Sequence, residues 1–452
     1  MVFPQLKLEQ KPTYLRLAND IDFIQLFRKI ESSVSTCFLF ESLEKNSFNS
    51  RYSIIGFDPE GLISAKNNSI SYGKETFTVE NPYWELRKMM PHPTYSRDYV
   101  GGFIGYLSYE AMNYFEKSLK LPTESKFPEF EFGIYKDGLV QDKMTGETFY
   151  FYYDKNRLDW INSHLESPER KRGNSTKIQF LGYSMSQEEH KNSVLNVLEK
   201  IRAGHTFQCQ IGFKAEYEIK GDPLAIYEAL RLINPSPHCY FIKFPNTTIL
   251  GASPELLFRL HNGEIETYPL AGSIRRGSTD LEDTTLTRKL LNDPKEIAEH
   301  NMLVDLHRND LGRIAKFGTV KVRKLKDVKR YSHIQHISSE VTAILNDGED
   351  MFTGLASNFP AGTLSGAPKI ESMKIIHENE TRPRGIYGGG VGHFGFNGNC
   401  TFAIPIRSFF ISGNYGYTQA SGGVVFDSTP ENEYDEIKRK LAAIQKSLEA
   451  FQ

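Results

Sequence analysis

Residues 387–410 read YGGGVGHFGFNGNCTFAIPIRSFF, and this stretch decides the fold class. The segment from Gly390 to Gly395 matches G-x-G-x-x-G, the fingerprint of dinucleotide-binding loops, which requires a strand before it and a helix opening at its last glycine. The residues that follow Gly395 are β-formers and polar turn residues instead. Because no helix N-terminus would meet a pyrophosphate, the sequence argues against a Rossmann fold and favours antiparallel sheet.

The pattern around this stretch mixes strands with helices. Clusters of β-forming residues between Asn, Gly and Asp residues predict strands at 69–72, 76–79, 149–153, 239–244 and 401–410. Helical spacing of apolar residues predicts helices at 186–203, 286–308 and 431–450. Together they predict an α+β protein with extensive antiparallel sheet.

Composition limits the class of protein. With 452 residues, two hydrophobic cores or one large layered domain are expected. A net charge of -2 argues against nucleic-acid and membrane-surface partners that bind through bulk charge. We see no apolar run long enough for a membrane span and no secretory signal, and the four cysteines lack CxxC spacing. We therefore expect a cytoplasmic enzyme with reduced thiols.

The polar run at 167–176 (SPERKRGNST) has the composition of a surface linker. We expect a boundary at this run, with an amino-terminal region at 1–170 and a second region at 180–450.

Two acidic pairs, Glu296/Glu299 and Glu433/Glu436, have the i,i+3 spacing that places both carboxylates on one helix face. Two such faces could converge on a magnesium ion, although solvated helix surface is the commoner explanation of such pairs.

The run at 360–369 (PAGTLSGAPK) lacks the G-K-[S/T] of a phosphate loop, and Pro368 predicts a helix start. Its free amides and the Thr363 hydroxyl would still suit an anion.

Several long motifs resemble those of the chorismate-utilising enzymes. They are the run at 360–369, YGGGVG at 387–392, EHNMLVDLHRNDLGR at 299–313, KRYSHIQH at 329–336, and the amino-terminal segments LFES at 39–42, RYSIIG at 51–56 and 101–110. The closest similarity within the family is to the large, aminating subunits of anthranilate synthases. This resemblance implies an αββα sandwich of large antiparallel sheets with outer helices. It also implies a regulatory amino-terminal region packed on a catalytic second region.

The same resemblance implies a magnesium-dependent lyase that binds chorismate, a dianion with two carboxylates. The implied Mg²⁺ ligands are Glu299 and Glu436, with Glu296 and Glu433 in or near the coordination sphere. Substrate-binding residues implied by similarity are Gly272, Ser273, Tyr387, Arg407, Gly422, Gly423 and Lys440. Arginine suits such a role because its planar fork meets a carboxylate bidentately.

The implied catalytic residues are Glu255, His336, Thr363, Gln208 and Ala271. Glu255 would protonate the departing hydroxyl, which requires a raised pKa. His336 and Thr363 would support pyruvate elimination. Water-using members of the family have a lysine where this chain has Gln208, and para-aminating members have a lysine nucleophile where it has Ala271. Ammonia should therefore attack directly and give anthranilate plus pyruvate, the first committed step of tryptophan biosynthesis.

Two alternatives remain open from the sequence. The chain could be an aminase that stops at the aminated intermediate or makes the para isomer, as aminodeoxychorismate synthase and 2-amino-2-deoxyisochorismate synthase do. It could also be a non-catalytic ligand-binding homologue, an interpretation motivated by departures from the family near Gln208, where His205 replaces an acid and Gly212 a serine.

The resemblance implies two further partners. A separate glutamine amidotransferase subunit (component II) would supply ammonia. Tryptophan would act as a feedback inhibitor at Glu41, Ser42, Asn234, Pro235, Ser236, Pro237, His238, Cys239, Tyr240 and Gly251. His238 and Cys239 replace the usual tyrosine and methionine, which weakens the expectation of inhibition. Ser421 replaces a glycine beside the carboxylate-binding amides, whose backbone donors should remain.

Overall fold

A computed structural model describes residues 4–17, 21–43, 51–94, 99–168, 176–330 and 334–451, apart from the side chains of Ser273, Ile334 and Ala443. Within these residues, the strands of the amino-terminal region are β1 Thr13–Arg16, β2 Cys37–Glu41, β3 Tyr52–Phe57, β4 Gly61–Lys66, β5 Ser69–Tyr72, β6 Glu75–Thr78, β7 Gly102–Leu107, β8 Phe130–Tyr135, β9 Asp137–Asp142 and β10 Glu147–Tyr152. The later strands are β11 Lys177–Tyr183, β12 Gln208–Lys220, β13 His238–Lys243, β14 Thr247–Ser253, β15 Leu256–His261, β16 Glu264–Thr267, β17 Leu270–Arg275, β18 Lys321–Arg330, β19 Ile334–Ile344, β20 Gly366–Ala367, β21 Gly390–Gly395, β22 Cys400–Ala403, β23 Ser408–Ser412 and β24 Tyr415–Val424.

The helices are α1 Phe23–Glu31, α2 Pro82–Met89, α3 Leu158–Glu166, α4 Gln187–Arg202, α5 Pro223–Ile233, α6 Asp280–Asn292, α7 Pro294–Gly312, α8 Met351–Asn358, α9 Gly362–Ser365, α10 Lys369–Asn379 and α11 Pro430–Leu448. Short 3-10 helices lie at Tyr109–Tyr114 and Glu449–Phe451. None of the helices in the described ranges is both long and apolar enough to cross a membrane.

The strands form two large antiparallel sheets. The first has the order β1-β10-β9-β3-β2-β13-β14-β23-β24-β12-β11, with β20 on β12. The second has the order β17-β19-β16-β15-β22-β21-β7-β8-β4-β5-β6, with β18 on β19. Helices α4, α5 and α11 pack on the first sheet, and α6, α7 and α8 pack on the second.

Alternation along β2 explains the layering. Phe38 points into the large core shared with the second sheet, while its neighbours Cys37 and Leu39 join the other core, under α1, α5 and α11. Strand β2 is therefore buried on both faces, as a strand between a sheet and a helical layer must be. The predicted α+β class and αββα sandwich are confirmed.

Strands from both predicted regions share both sheets. The edge of the amino-terminal part, β2, pairs with β13 in the first sheet, and β7 pairs with β21 in the second. The polar run at 167–176 lies mostly outside the described residues, so the boundary there stays a prediction. The separate roles of the two regions also stay predictions.

The helix predicted at 186–203 is confirmed as α4, and its N-cap Ser186 forms a capping box with Glu189. The helix predicted at 286–308 is wrong in its extent, because two helices, α6 and α7, cover this stretch. The break lies at Asp293, whose side chain caps the first turn of α7, and Pro294 follows at its first position. A proline at that position starts a helix and cannot continue the preceding one.

The single strand predicted at 401–410 is also wrong. The stretch forms β22 in the second sheet and β23 in the first, joined by a crossing that contains Pro405 and Arg407. Arg407 has φ 50°, a left-handed conformation that ends the pleat. The G-x-G-x-x-G segment is strand β21, paired with β7 and β22, so the rejection of a dinucleotide site is confirmed.

Candidate active site

A cavity of about 270 Å³ lies between the two sheets and helices α7 and α11. Strands β12 and β24 of the first sheet, β17 and β19 of the second, and the loops before β15 and β23 complete its wall. Of the predicted site residues it contains Gln208, Glu255, Ala271, Gly272, Glu296, Glu299, His336, Thr363, Tyr387, Arg407, Gly423, Glu433, Glu436 and Lys440. Residues from several strands, helices and loops thus meet in one space. The side chain of Ser273 lies outside the described part of the chain.

The two acidic pairs face each other across this cavity, from α7 and α11. Burial, and then the charge of Glu436, raises the pKa of Glu299 and of Glu433. Like charges raise one another's pKa because each disfavours ionisation of its neighbour. The commoner explanation, solvated helix surface, therefore does not describe these helices.

The carboxylates offer oxygen ligands of the kind that a divalent cation takes. Oε2 of Glu433 is buried and makes no hydrogen bond to the described residues. A Cβ at Gly422 would lie 2.6 Å from that oxygen, so glycine leaves the room it needs. In the described ranges, no group of three or more His, Cys, Asp or Glu side chains is arranged to hold a metal ion. Mg²⁺ commonly takes one or two carboxylates and fills the rest of its octahedron with water and substrate oxygens.

Glu255 is the most perturbed carboxyl in the cavity. It is 4% exposed, and burial raises its pKa to about 8, against smaller lowering effects of Thr363, Arg407 and Lys440. Oγ1 of Thr363 donates to Oε1 of Glu255 over 2.7 Å. A carboxyl of this kind keeps its proton at neutral pH and can act as a general acid. The expected role of Thr363 in pyruvate elimination stays a prediction, and its side chain contacts Glu255.

His336 on β19 is a neutral imidazole. Burial, and then the charge of Arg407, lowers its pKa to about 3, against a backbone hydrogen bond with Gly272 that raises it. A neutral imidazole can accept a proton. A dianion bound beside Arg407 would offset part of the charge that lowers this pKa.

A chain of polar contacts runs along one wall. The hydroxyls of Tyr387 and Ser421 are 2.8 Å apart, and Ser421 donates to Oε1 of Gln210 over 3.0 Å. Lys440 donates to the carbonyl of Ser421 and forms an ion pair with Glu436, each over 2.8 Å or less. Burial raises the pKa of Tyr387 to about 12, so its hydroxyl keeps a proton to donate. These contacts hold the polar side chains of this wall in place.

Gln208 lies beside the acidic pairs. Its Nε2 donates to Oε1 of Glu299 over 2.8 Å, while its Oε1 is buried and accepts no hydrogen bond from the described residues. Ala271, on β17, is 8% exposed and lines the same cavity without offering an amine. The position predicted to control the nucleophile thus holds a buried acceptor, which suits a ligand that donates N–H.

Some cavity residues were not predicted from the sequence, namely Gln210, Lys295, Gln419 and Ser421 as side chains. Gln210 follows Gln208 by two positions, and alternate residues of a strand share a face, so the strand period was the signal for it. Lys295 precedes Glu296 on the first turn of α7, where no pattern distinguishes it from a surface lysine.

A second cavity of about 440 Å³ is lined by most of the residues that were predicted to bind tryptophan. Glu41, Ser42, Pro237, His238, Cys239 and Tyr240 line it, together with aromatic residues of the amino-terminal region such as Tyr52 and Tyr99. Glu41 is held by Tyr227 over 2.8 Å and by both Nε and Nη2 of Arg231. Burial, and then Arg259, lowers the pKa of His238 to about 4.

Asn234, Pro235, Ser236 and Gly251 do not line the second cavity. Asn234 instead donates to the carbonyl of Ala252, and Ser236 donates to the carbonyl of Asn234. Gly251 pairs with Tyr240 across β13 and β14, and a Cβ there would lie 2.5 Å from the Tyr240 hydroxyl. Asn234, Ser236 and Gly251 therefore contact the backbone or side chains next to the second cavity without lining it.

Comparison with known proteins gives consistent matches. The family model described as chorismate binding enzyme matches residues 24–446. Anthranilate synthase component 1 of Leptospira biflexa is 54% identical, over 99% of this chain and 98% of that protein. The protein of the same description from Methanothermobacter thermautotrophicus is 43% identical, over 94% of this chain and 92% of that one.

Solved structures are similar as well. Anthranilate synthase component I from Streptococcus pneumoniae TIGR4 has a TM-score of 0.79 and 29% identity, covering 91% of this chain and 94% of that one. MenF, the menaquinone-specific isochorismate synthase from Escherichia coli, has a TM-score of 0.75 at 17% identity, over 97% of this chain and 94% of that one. The likeness to MenF shows a shared fold alone.

Proposed function

This chain belongs to the family of chorismate binding enzymes, and from that membership we propose that it is the aminating component of an anthranilate synthase. The reaction joins chorismate and ammonia and releases anthranilate, pyruvate and water. The description of its relatives as component 1 supports the assignment, since two of them are 54% and 43% identical over nearly the full chain. The chain would thus be a lyase whose partner, component II, supplies ammonia from glutamine.

One observation carries the proposal. The same cavity contains a carboxyl that keeps its proton at neutral pH, Glu255, and a buried amide oxygen, that of Gln208, which accepts no hydrogen bond from the described residues. The first can protonate the departing C4 hydroxyl of chorismate. The second can accept N–H from ammonia and orient its lone pair, but it cannot deprotonate water. This combination favours amination over hydration.

The remaining residues complete the catalytic steps. Arg407 and Tyr387 would hold the enolpyruvyl carboxylate, with the amides of Gly422 and Gly423. His336, kept neutral by burial, would take the proton that leaves C2 as the ring becomes aromatic and pyruvate departs. Thr363 would hold Glu255 in place through its observed hydrogen bond.

Magnesium belongs to the proposal. Glu299 and Glu436 would hold it, with Glu296 and Glu433 close by, and their mutual charge repulsion would be relieved on binding. When bound, Mg²⁺ supplies Lewis-acid stabilisation of charge on the ring carboxylate.

Tryptophan inhibition is a further proposal, made for the second cavity. Glu41 and Ser42 lie there beside Pro237 to Tyr240, and an acidic residue would suit the amino group of an amino acid. A titration of turnover with tryptophan tests this proposal, and an unchanged rate at saturating tryptophan would reject it.

The deciding experiment is a product assay. Purified protein with Mg²⁺, chorismate and ammonium chloride should release pyruvate and a product with anthranilate fluorescence and mass in equal amounts. Glutamine should replace ammonium only when component II is added. Accumulation of an enolpyruvyl-bearing amine, or of the para isomer, would support the other aminases. Absence of pyruvate would support a non-catalytic ligand-binding homologue.

A further inference from the structure

Strand β12 directs two glutamines into the active-site cavity, and only one of them has an assigned role. Gln208 and Gln210 are alternate residues and therefore lie on the same face of the strand. Gln210 is 8% exposed. Their neighbours Cys209 and Ile211 join the apolar cluster on the opposite face.

The orientation of the Gln210 amide is set by its neighbours. The Ser421 hydroxyl donates to Oε1 of Gln210 over 3.0 Å. A hydroxyl has one proton, so in its 2.8 Å contact with Tyr387 the Ser421 oxygen accepts and the tyrosine donates. Because Oε1 is held by Ser421, the amide nitrogen is turned to the other side.

That nitrogen is a donor without a partner among the described residues. The hydrogen bonds of the Gln210 side chain consist of the one from Ser421, and its Nε2 lies against Gly423, where a Cβ would be 2.8 Å away. Gln208 is different, because its Nε2 donates to Glu299. The Gln210 N–H₂ group lies in the cavity, where an acceptor on a ligand can take its hydrogen bonds.

We propose that Gln210 is a further substrate-binding residue, which donates from Nε2 to the carboxylate that Arg407 holds, with Ser421 as the residue that fixes its amide. This inference rests on the proposed function, because it takes the ligand to be a dianion. Several carboxylates line the cavity and would repel an anion. Neutral hydrogen-bond donors and the few cationic side chains must therefore bind it. Gln210 adds such a donor beside Tyr387.

Substitution of Gln210 should weaken the binding of chorismate. The charge of this carboxylate is the same in chorismate and in pyruvate, so a hydrogen bond to it stabilises ground and transition states alike and changes KM. Gln210→Leu should raise KM for chorismate about tenfold to a hundredfold, as for other hydrogen bonds to a charged group, with kcat within about threefold. Gln210→Glu should raise KM further, because its charge repels the dianion.

Ser421 should act through Gln210. Ser421→Ala leaves the amide free to turn, so KM should rise about threefold to tenfold. In the Gln210→Leu background the same change should have little further effect, because no amide remains to be held. A merely structural role of Ser421 would instead give additive effects and a matching loss of thermal stability.

Gln141→Leu is the matched control. Gln141 is a strand glutamine on β9 whose Nε2 donates to the carbonyl of Ile21, outside this cavity. It should leave KM unchanged. KM of Gln210→Leu equal to wild type, or kcat lost with KM unchanged, would overturn the inference.

The wild type is measured first, for turnover and for direct chorismate binding by calorimetry. If it neither turns over nor binds chorismate, the proposed function fails. If it is active and Gln210→Leu binds chorismate normally, the inference about Gln210 alone fails. Should Gln210→Leu not fold, Ser421→Ala tests the same hydrogen bond, because it removes a single hydroxyl, and an unchanged KM in that variant would also overturn the inference.

Discussion

The two cavities of this protein surround their acidic side chains differently. In the second cavity the carboxylate of Glu41 is held by Arg231 and Tyr227. In the active-site cavity Oε2 of Glu433 and Oε1 of Gln208 are buried without a hydrogen bond to the described residues. Folding normally pairs such groups, because each one left unpaired costs stability.

The difference lies in how far the protein itself compensates each buried acid. Arg231 balances the charge of Glu41, whereas the charges of Glu299, Glu433 and Glu436 lie close enough together to repel one another. Burial is the largest cause of the raised pKa values of Glu299 and Glu433, and the charge of Glu436 adds to it. Substitutions should therefore affect turnover in one cavity and stability in the other.

The largest effect is expected for Glu299→Gln. It removes one charge from the proposed Mg²⁺ site, and turnover should fall about a thousandfold or more because charge stabilisation in a water-excluded site is the largest catalytic term. The measurement is kcat as a function of Mg²⁺ concentration. Glu228→Gln removes a carboxylate that is paired with Arg28 on another face, and it should keep the metal dependence of the wild type. Wild-type turnover in Glu299→Gln would remove the magnesium proposal.

Glu255→Gln should come next, with a loss in kcat of about a hundredfold to a thousandfold. Because the pKa is about 8, the carboxyl holds its proton below that pH, and kcat/KM of the wild type should fall as pH rises through it. The variant should lack this alkaline limb.

Stability gives an independent check on the same carboxyl. A carboxyl whose pKa is raised by folding contributes stability at low pH and loses it as pH rises through about 8. The Tm of the wild type should therefore decline relative to Glu255→Gln between pH 5 and pH 9. A constant difference in Tm would mean that Glu255 ionises normally.

A smaller change is expected for Thr363→Val, about tenfold in kcat. The hydrogen bond from Thr363 lowers the pKa of Glu255, so its removal should move the alkaline limb to higher pH. A pH–rate profile of the variant measures this shift. A limb that moves to lower pH, or stays in place, would show that the two side chains do not interact during turnover.

Much of this site could be read from the sequence because its motifs are local. The acidic pairs are visible as i,i+3 spacing on α7 and α11, and the long motifs indicated the family and the sandwich. Their convergence could not be read from spacing, since α7 and α11 are brought together by the two sheets. The break at Pro294 was marked in the sequence, but the apolar residues on both sides hid it.

Other features depend on strand register, which the sequence does not contain. Gln210 and Ser421 are 211 positions apart and meet because β12 pairs with β24. The crossing of residues 404–407 between sheets was hidden because β22 and β23 are equally apolar. A continuous run of β-formers predicts a strand, but it does not say which sheet the strand joins.

The smallest effect on turnover should come from the second cavity. Arg231→Met would leave the buried carboxylate of Glu41 with Tyr227 as its remaining partner, and the free energy of unfolding should fall by about 3 kcal/mol. Urea unfolding measures this loss, and kcat without tryptophan should stay at the wild-type value because Arg231 does not line the active-site cavity. If kcat fell while stability held, the two cavities would be coupled through β13 and β14. Polar pairing would then no longer distinguish the residues that serve the fold from those that serve a ligand.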